Sequence, residues 1–241
     1  MKGMKLTNKT AIVTGASSGL GVSFSKKLIE KGVIVHGLGR RINLLTEVQA
    51  ALGNSFIPVK VDITDHAAVS EWMESTFQGN HLPDILINNA GVGFFGNVED
   101  LSVSDWEIMM QTNLSGVFFI TRKVVPLMKQ SSSSSHIINI ASVAGLIGNP
   151  QISAYNATKY GLRGFSDALF KELRYENIKV SAIFPGSIST PFFDQTDTDT
   201  HSNMLQPDDV ADTVIHLLET PDNYLISELT VRPLNPKNPE S

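Results

Sequence analysis

From Thr10 to Val231 the chain alternates short apolar runs with segments of helical length, and this alternation constrains the fold more than any other feature. Thr10 to Val13, Val33 to Leu38, Phe56 to Val61, Asp84 to Asn88, His136 to Ile140, Ile178 to Phe184 and Tyr224 to Val231 read as seven strands. Near-continuous apolar strands must be covered on both faces, and strands separated by helices are joined in parallel through crossovers. The expectation is an α/β fold: a doubly wound, mostly parallel seven-stranded sheet with helices on both faces. No repeat or compositional break divides the 241 residues, so residues 1–241 read as a single domain, with a short lid near 190–206.

The intervening segments carry helix signals. The first helix runs to about Lys31, and Asp65 caps the helix through Trp72 to Phe77. Ser104-Asp105-Trp106-Glu107 reads as a capping box opening a long helix to Gln130, with a kink or early end at Pro126. A further helix carries Tyr155 and extends to about Glu176, and Pro207-Asp208-Asp209 starts the last one.

Composition excludes several functions. A formal charge of −5 offers no electrostatic footprint for nucleic acid or an anionic membrane. The absence of cysteine removes disulfides, thiolate metal sites and a cysteine nucleophile, and the six histidines have no metal-ligand spacing, so no metal is expected. The segment Met1 to Lys9 is too polar for a signal-peptide core, and no apolar run reaches the roughly eighteen residues of a membrane span. A cytoplasmic protein without membrane contact is the expectation.

Thr14-Gly15-Ala16-Ser17-Ser18-Gly19-Leu20-Gly21 lies between the first strand and the first helix. Glycines let the backbone turn sharply and approach a ligand, and the helix N-terminus offers N–H groups to a pyrophosphate. In this position the pattern indicates a Rossmann-type dinucleotide site. The second strand should end at the adenosine ribose, where a carboxylate would select NAD; the chain instead reads Gly39-Arg40-Arg41. Two guanidiniums suit a 2′-phosphate, which points to NADP(H).

Tyr155 and Lys159 are four residues apart and share a helix face, and Ser142 would end the fifth strand near the same point. A phenol titrates near ~10, and a fixed cation beside it favours the phenolate. The set suits proton transfer to or from a substrate oxygen. Taken alone, a Tyr–Lys pair is also what many ordinary helices carry.

Together these motifs resemble the classical short-chain dehydrogenase/reductase family over nearly the whole chain. Thr14 to Gly21 is similar to its cofactor loop, Asn88-Asn89-Ala90-Gly91 to its motif after strand four, and Pro185-Gly186-Ser187-Ile188-Ser189-Thr190 to its nicotinamide segment. Asn113, Ser142, Tyr155 and Lys159 fall at its catalytic positions. The resemblance implies hydride transfer between NADP(H) and a carbonyl or secondary alcohol, with a 3-oxoacyl or 3-hydroxy acid compound as one candidate. Ser142 would polarise the carbonyl and Tyr155 would protonate its oxygen. Lys159 would hold the ribose and lower the Tyr155 pKa, and Asn113 would support a proton-relay water.

Cofactor contacts would come from Gly15, Ser17, Ser18, Gly19, Leu20, Gly21, Arg40, Arg41, Asp62, Ile63, Asn89, Ala90, Gly91, Tyr155, Lys159, Pro185, Gly186, Ile188 and Thr190. Asp62 resembles the family's adenine-contacting Asp, with a plain helix-entry acid as the lesser alternative; Asn88 and Asn89 also read as turn formers, and Thr190 as a cap. By position, Phe94, Phe95, Leu146, Ile147, Phe192 and Phe193 ring the substrate mouth, and Asp194, Asp197 and Asp199 lie in the lid or a solvated loop. The small residues Gly161, Gly164 and Ala168 suggest a homodimer or homotetramer through the long helices. Two other functions remain open at this level: an NADP-sensing regulator without turnover, and a non-redox lyase or isomerase on the same fold.

Overall fold

The computed structural model describes residues 3–79, 81–192 and 200–238. Seven strands form one sheet: β1 (Thr10–Thr14), β2 (Ile34–Gly39), β3 (Phe56–Lys60), β4 (Ile85–Asn88), β5 (Ser135–Ile140), β6 (Ile178–Pro185) and β7 (Glu228–Val231). Their order is β3-β2-β1-β4-β5-β6-β7, and every pairing is parallel. The expected mostly parallel sheet is therefore wholly parallel. The seventh strand begins at Glu228 rather than Tyr224.

The helices are α1 (Gly19–Glu30), α2 (Ile42–Leu52), α3 (His66–Thr76), α4 (Val103–Met110), α5 (Gly116–Met128), α6 (Ser153–Leu173) and α7 (Pro207–Glu219). Alternate strand residues serve the two faces. Ala11, Val13, Val35, Ile85 and Ile87 pack with Phe24, Leu28, Leu45 and Val214 from α1, α2 and α7. Ile12, Leu38, Leu86 and Ile137 pack with Val69, Met73, Ile120, Val124 and Leu169 from α3, α5 and α6. Both sides of the sheet bury aliphatic side chains, which is why the strands read as unbroken apolar runs.

Three helix expectations change. Asp65 does cap α3, accepting from the amides of Ala67 and Ala68. The cap of α4, however, is Ser102, whose hydroxyl accepts from the Asp105 amide and donates to its carboxylate, so the reciprocal cap lies two residues before Ser104. Pro126 sits inside α5 without ending it; the irregularity falls at a π-helical turn, Gln111–Ser115, between α4 and α5. The Tyr155 helix ends at Leu173 rather than Glu176. No helix among the described residues is long and apolar enough to cross a membrane.

The strand order reverses between β1 and β4, so the connections after these two strands leave on opposite faces and open a crevice at their C-terminal ends. Thr14 closes β1 and Asn88 closes β4 at the rim of that crevice.

Candidate active site

The crevice is floored by the glycine turn after β1. Gly15 and Gly19 adopt φ of +67° and +52°, a region costly for side chains. A Cβ on Gly21 would lie 2.2 Å from the Gly15 carbonyl oxygen, so the turn closes tightly on its own helix. Ser18 is the N-cap of α1 but makes no side-chain cap bond, which leaves the first-turn amides of α1 to another acceptor.

Thr14 locks this turn to the end of β4. Its hydroxyl accepts from the amides of Asn89 and Ala90, each at 3.0 Å. Asn89 returns the contact, its Nδ2 donating to the carbonyls of Thr14 at 2.9 Å and Gly15 at 3.3 Å. Asn88 points the other way, donating to Asn139 and Thr121 in the sheet interior. The two adjacent asparagines thus divide: one shapes the crevice and one braces the core.

At the end of β2, Arg40 and Arg41 are exposed, and Arg41 Nη2 donates to Ser17 Oγ at 3.4 Å. Asp62 closes a turn after β3, accepting from the amide and hydroxyl of Thr64, while Ile63 is buried against Gly116. On the opposite rim, the Gly186 amide donates to Val231, and a Cβ on Gly186 would lie 2.9 Å from Pro233 Cδ. Ile188 bridges to Leu205, and Thr190 comes so close to the glycine turn that a Cβ on Gly19 would sit 3.3 Å from its Cβ. The lid expectation falls largely on residues 193–199, outside the described residues, as do Phe193, Asp194, Asp197 and Asp199.

The centre of the crevice holds the predicted tetrad. Ser142 lies just beyond β5 and N-caps a 3-10 turn, Val143–Gly145, with its hydroxyl accepting from the Ala144 amide. The same side chain hydrogen-bonds Tyr155. Tyr155 is 8% exposed, and the rings of Phe95 and Phe192 lie against it at centroid separations of 5.7 and 5.9 Å. Burial pushes the Tyr155 phenol up to about 12, with the Ser142 hydrogen bond opposing the shift. This corrects the expected downward pull from Lys159: removing the phenolate from water is the larger effect.

Lys159 is itself buried, which lowers its ammonium to about 8. Its Nζ donates to the Ile140 carbonyl at 3.0 Å and lies 3.6 Å from the position of a Cβ on Gly91, an ordinary van der Waals separation. Asn113 occupies the π turn, where the helix is widened by one residue, as often happens at functional sites. Its side chain grips the backbone of Val92 in both directions, Oδ1 accepting from the amide and Nδ2 donating to the carbonyl, and also donates to Thr158 Oγ1.

Asn156 was not singled out by the sequence reading. Its Nδ2 donates to the carbonyls of Ala144 and Ile147, and its Oδ1 accepts from the Asn149 amide, so it holds the loop that follows Ser142. A signal was available: a polar residue next to Tyr155 in the first turn of an otherwise regular helix. Thr14 opens the glycine motif, but its hydroxyl clamp depends on a partner 75 residues away. Among the predicted mouth residues, Phe94 and Phe95 pack beside Tyr155, whereas Leu146 turns away to Val117, Leu162 and Phe184, and Ile147 is exposed.

With this geometry in place, comparison with known proteins is informative. Residues 9–201 match the sequence profile of the short chain dehydrogenase family. A probable NADP-dependent dehydrogenase from Haemophilus influenzae is 34% identical over 241 residues, covering 95% of this chain and 94% of that protein. A 3-ketoacyl-(acyl-carrier-protein) reductase from Brucella melitensis, solved with NADH, superposes with a TM-score of 0.88 at 29% identity, covering 95% of this chain and 98% of the other. The closed form of a serine dehydrogenase complexed with NADP+ gives 0.84 at 30% identity, covering 92% and 94%.

Proposed function

The chain belongs to the short-chain dehydrogenase family, and from that premise we propose that it transfers a hydride between NADP(H) and a carbonyl or secondary alcohol substrate. The carrying observation is the convergence of Ser142, from the loop after β5, with Tyr155 and Lys159 on one face of α6.

The residues present fit the cofactor. Gly21 is required by the tight return of the turn, the first-turn amides of α1 lack a side-chain cap, and the Arg41 guanidinium reaches over Ser17. Residues 15–21 would take the pyrophosphate, and Arg40 and Arg41 the 2′-phosphate. Lys159, Asn89, Gly91 and the 185–190 segment would flank the ribose and nicotinamide. Asp62 and Ile63 would border the adenine. When bound, NADPH supplies the hydride.

The chain supplies the proton. Tyr155 is protonated at neutral pH, with burial raising it to about 12 and the Ser142 hydrogen bond opposing that shift, so it has a proton to give to a carbonyl oxygen. Ser142 shares that oxygen through its hydroxyl, and Lys159 carries charge at neutral pH because its value lies near 8. General acid catalysis of this kind contributes about 10²–10⁴-fold. Asn113, whose side chain is bonded to Val92 and Thr158, would support a relay water, as the family resemblance implies.

The names of two structural relatives support a 3-oxoacyl or 3-hydroxy acid substrate, since one reduces a 3-ketoacyl group and serine is a 3-hydroxy acid. Self-association through α5 and α6 is supported by the exposure of Phe118 on α5 and Tyr160 on α6. The test is direct: NADPH absorbance is followed with a carbonyl panel. Oxidation on at least one carbonyl, abolished by Tyr155→Phe with cofactor binding retained, is expected; binding without oxidation on any substrate would refute the proposal.

A further inference from the structure

Apart from Ser142, bonded to its hydroxyl, and the Lys159 ammonium 5.6 Å from its ring centroid, Tyr155 is packed in an apolar cluster. Phe95 and Phe192 lie on its ring and 6.4 Å from one another, and Val92, Phe94, Met109 and Ile152 complete the cluster. Gly93 allows this closure, because a Cβ there would lie 2.7 Å from the Phe192 ring.

The stretches that supply these residues also lack lysine and arginine: residues 61–121, 130–158 and 180–231 contain neither. They provide β4 and the π turn, β5 with the loop to Tyr155, and β6 from Val180 with the segment after it; Lys179, at the start of β6, is bonded to Thr220, Pro221 and Tyr224. The cation that does stand in the crevice, Lys159, is buried and bonded to Ile140. The next base after residue 180 is Arg232, exposed and just beyond β7. That is the sheet edge, two strands from β5, where the Arg232 Cα lies 3.6 Å from the position of a Cβ on Gly186 and the side chain is exposed.

A carboxylate on the first or second carbon from the reacting carbonyl would enter this ring cluster. It would lose its water there and meet no cation but Lys159, whose ammonium is bonded to the Ile140 carbonyl, an arrangement that disfavours the charged form. An alkyl or aryl group would instead stack on Phe95 and Phe192. We infer that the group flanking the reacting carbonyl is uncharged and apolar, so that ketones and oxo esters or thioesters are accepted and the matching free oxo acids are rejected. The inference rests on the proposed hydride-transfer reading and narrows it. The oxoacyl ester branch is kept, and the free 3-hydroxy acid branch is discarded.

Matched pairs test this in two arms. In the first, wild-type protein with NADPH is given methyl benzoylformate against benzoylformate, and ethyl 3-oxobutanoate against 3-oxobutanoate. The ester of each pair is expected to exceed its acid in kcat/KM by about 100-fold or more, the scale at which a site rejects an unmatched polar group. In the second, calorimetry measures binding of the same compounds to the Tyr155→Phe protein carrying NADPH, where no proton is available for turnover. Tighter binding of the esters supports the inference even if the wild type oxidises no NADPH, a result that would sink the hydride-transfer reading alone. Equal or tighter binding of the acids, equal or faster turnover of the acids, or no detectable ester binding overturns it.

Discussion

Lys159 Nζ stands 5.6 Å from the centroid of the Tyr155 ring and gives its hydrogen bond to the Ile140 carbonyl. The two groups share a helix face and a buried space, and burial moves them in opposite directions: the phenol rises to about 12 and the ammonium falls to about 8. Both shifts favour the neutral form, as desolvation requires. At neutral pH the pair is therefore a protonated acid beside a cation that is held close to its own titration.

A pH profile follows from that pair. If the Lys159 charge supports the reaction, log kcat/KM for NADPH oxidation should be flat below pH 8 and fall as pH rises through about 8, where Lys159 loses its proton. Tyr155, at about 12, stays protonated throughout and adds no break. Lys159→Arg should move the break upward if it retains activity, since a guanidinium does not titrate in this range. A wild-type profile flat to pH 10 would exclude a role for the ammonium.

Removing the loop clamp should cost both stability and rate. Asn156→Ala leaves the carbonyls of Ala144 and Ile147 without their donor, at about 1–3 kcal/mol. Urea unfolding should show that loss. The kcat should fall by about tenfold or more as Ser142 loses its fixed loop, with NADPH affinity little changed.

Thr14→Val keeps the shape of the side chain but removes the acceptor shared by the Asn89 and Ala90 amides. A loss of about 1–3 kcal/mol is expected, together with weaker NADPH binding measured by nucleotide fluorescence, because the clamp sets the position of the glycine turn. Unchanged binding would mean that the turn holds its form without β4.

Cofactor choice should reside at the end of β2. Arg40→Asp replaces an exposed guanidinium by a carboxylate, and the NADPH/NADH ratio of kcat/KM should drop by about 100-fold, as expected for breaking a charge-assisted phosphate contact. An unchanged ratio would place the 2′-phosphate elsewhere.

Acid stability depends on His136, buried in β5 and bonded through Nε2 to Ser181. Burial, with Lys179 adding to it, lowers its pKa from 6.5 to about 3. The fold therefore holds it neutral, while the unfolded chain takes up a proton below pH 6.5. Its contribution is fully present above that value and is lost as pH falls toward 3. Between pH 6.5 and 5 the loss is about 2 kcal/mol, at about 1.4 kcal/mol per pH unit. Urea midpoints at pH 7 and pH 5 should differ by at least that much, and His136→Gln should lessen the slope over that interval, the remainder belonging to His36, which burial lowers to about 4.

Much of this protein can be read locally. Ile12, Leu86 and Ile137 are apolar because the sheet is covered on both sides, and that coverage is visible as unbroken strand runs. The glycine turn is equally local, since its left-handed φ values belong to Gly15 and Gly19 themselves. The misplaced cap on α4 has a simple cause: Ser102 and Ser104 each precede an acid by three residues, and the choice between them depends on where the chain arrives from the 93–101 loop.

Returning to Tyr155 and Lys159, the sequence by itself determined the order of strands and helices, the phosphate turn, and the side chains that would meet at the crevice. It determined these because periodicity, turn chemistry and i,i+4 spacing act over a few residues. Only the tertiary structure decided that the phenol is raised rather than lowered, that the helix break falls at Asn113 rather than Pro126, and that Asn156 secures the Ser142 loop. Each of these depends on burial or on a partner brought in from another segment: Phe95 and Phe192 over Tyr155, Val92 against Asn113, and Ala144 beside Asn156. Desolvation and long-range hydrogen bonds are properties of the packed chain, and no local pattern encodes them.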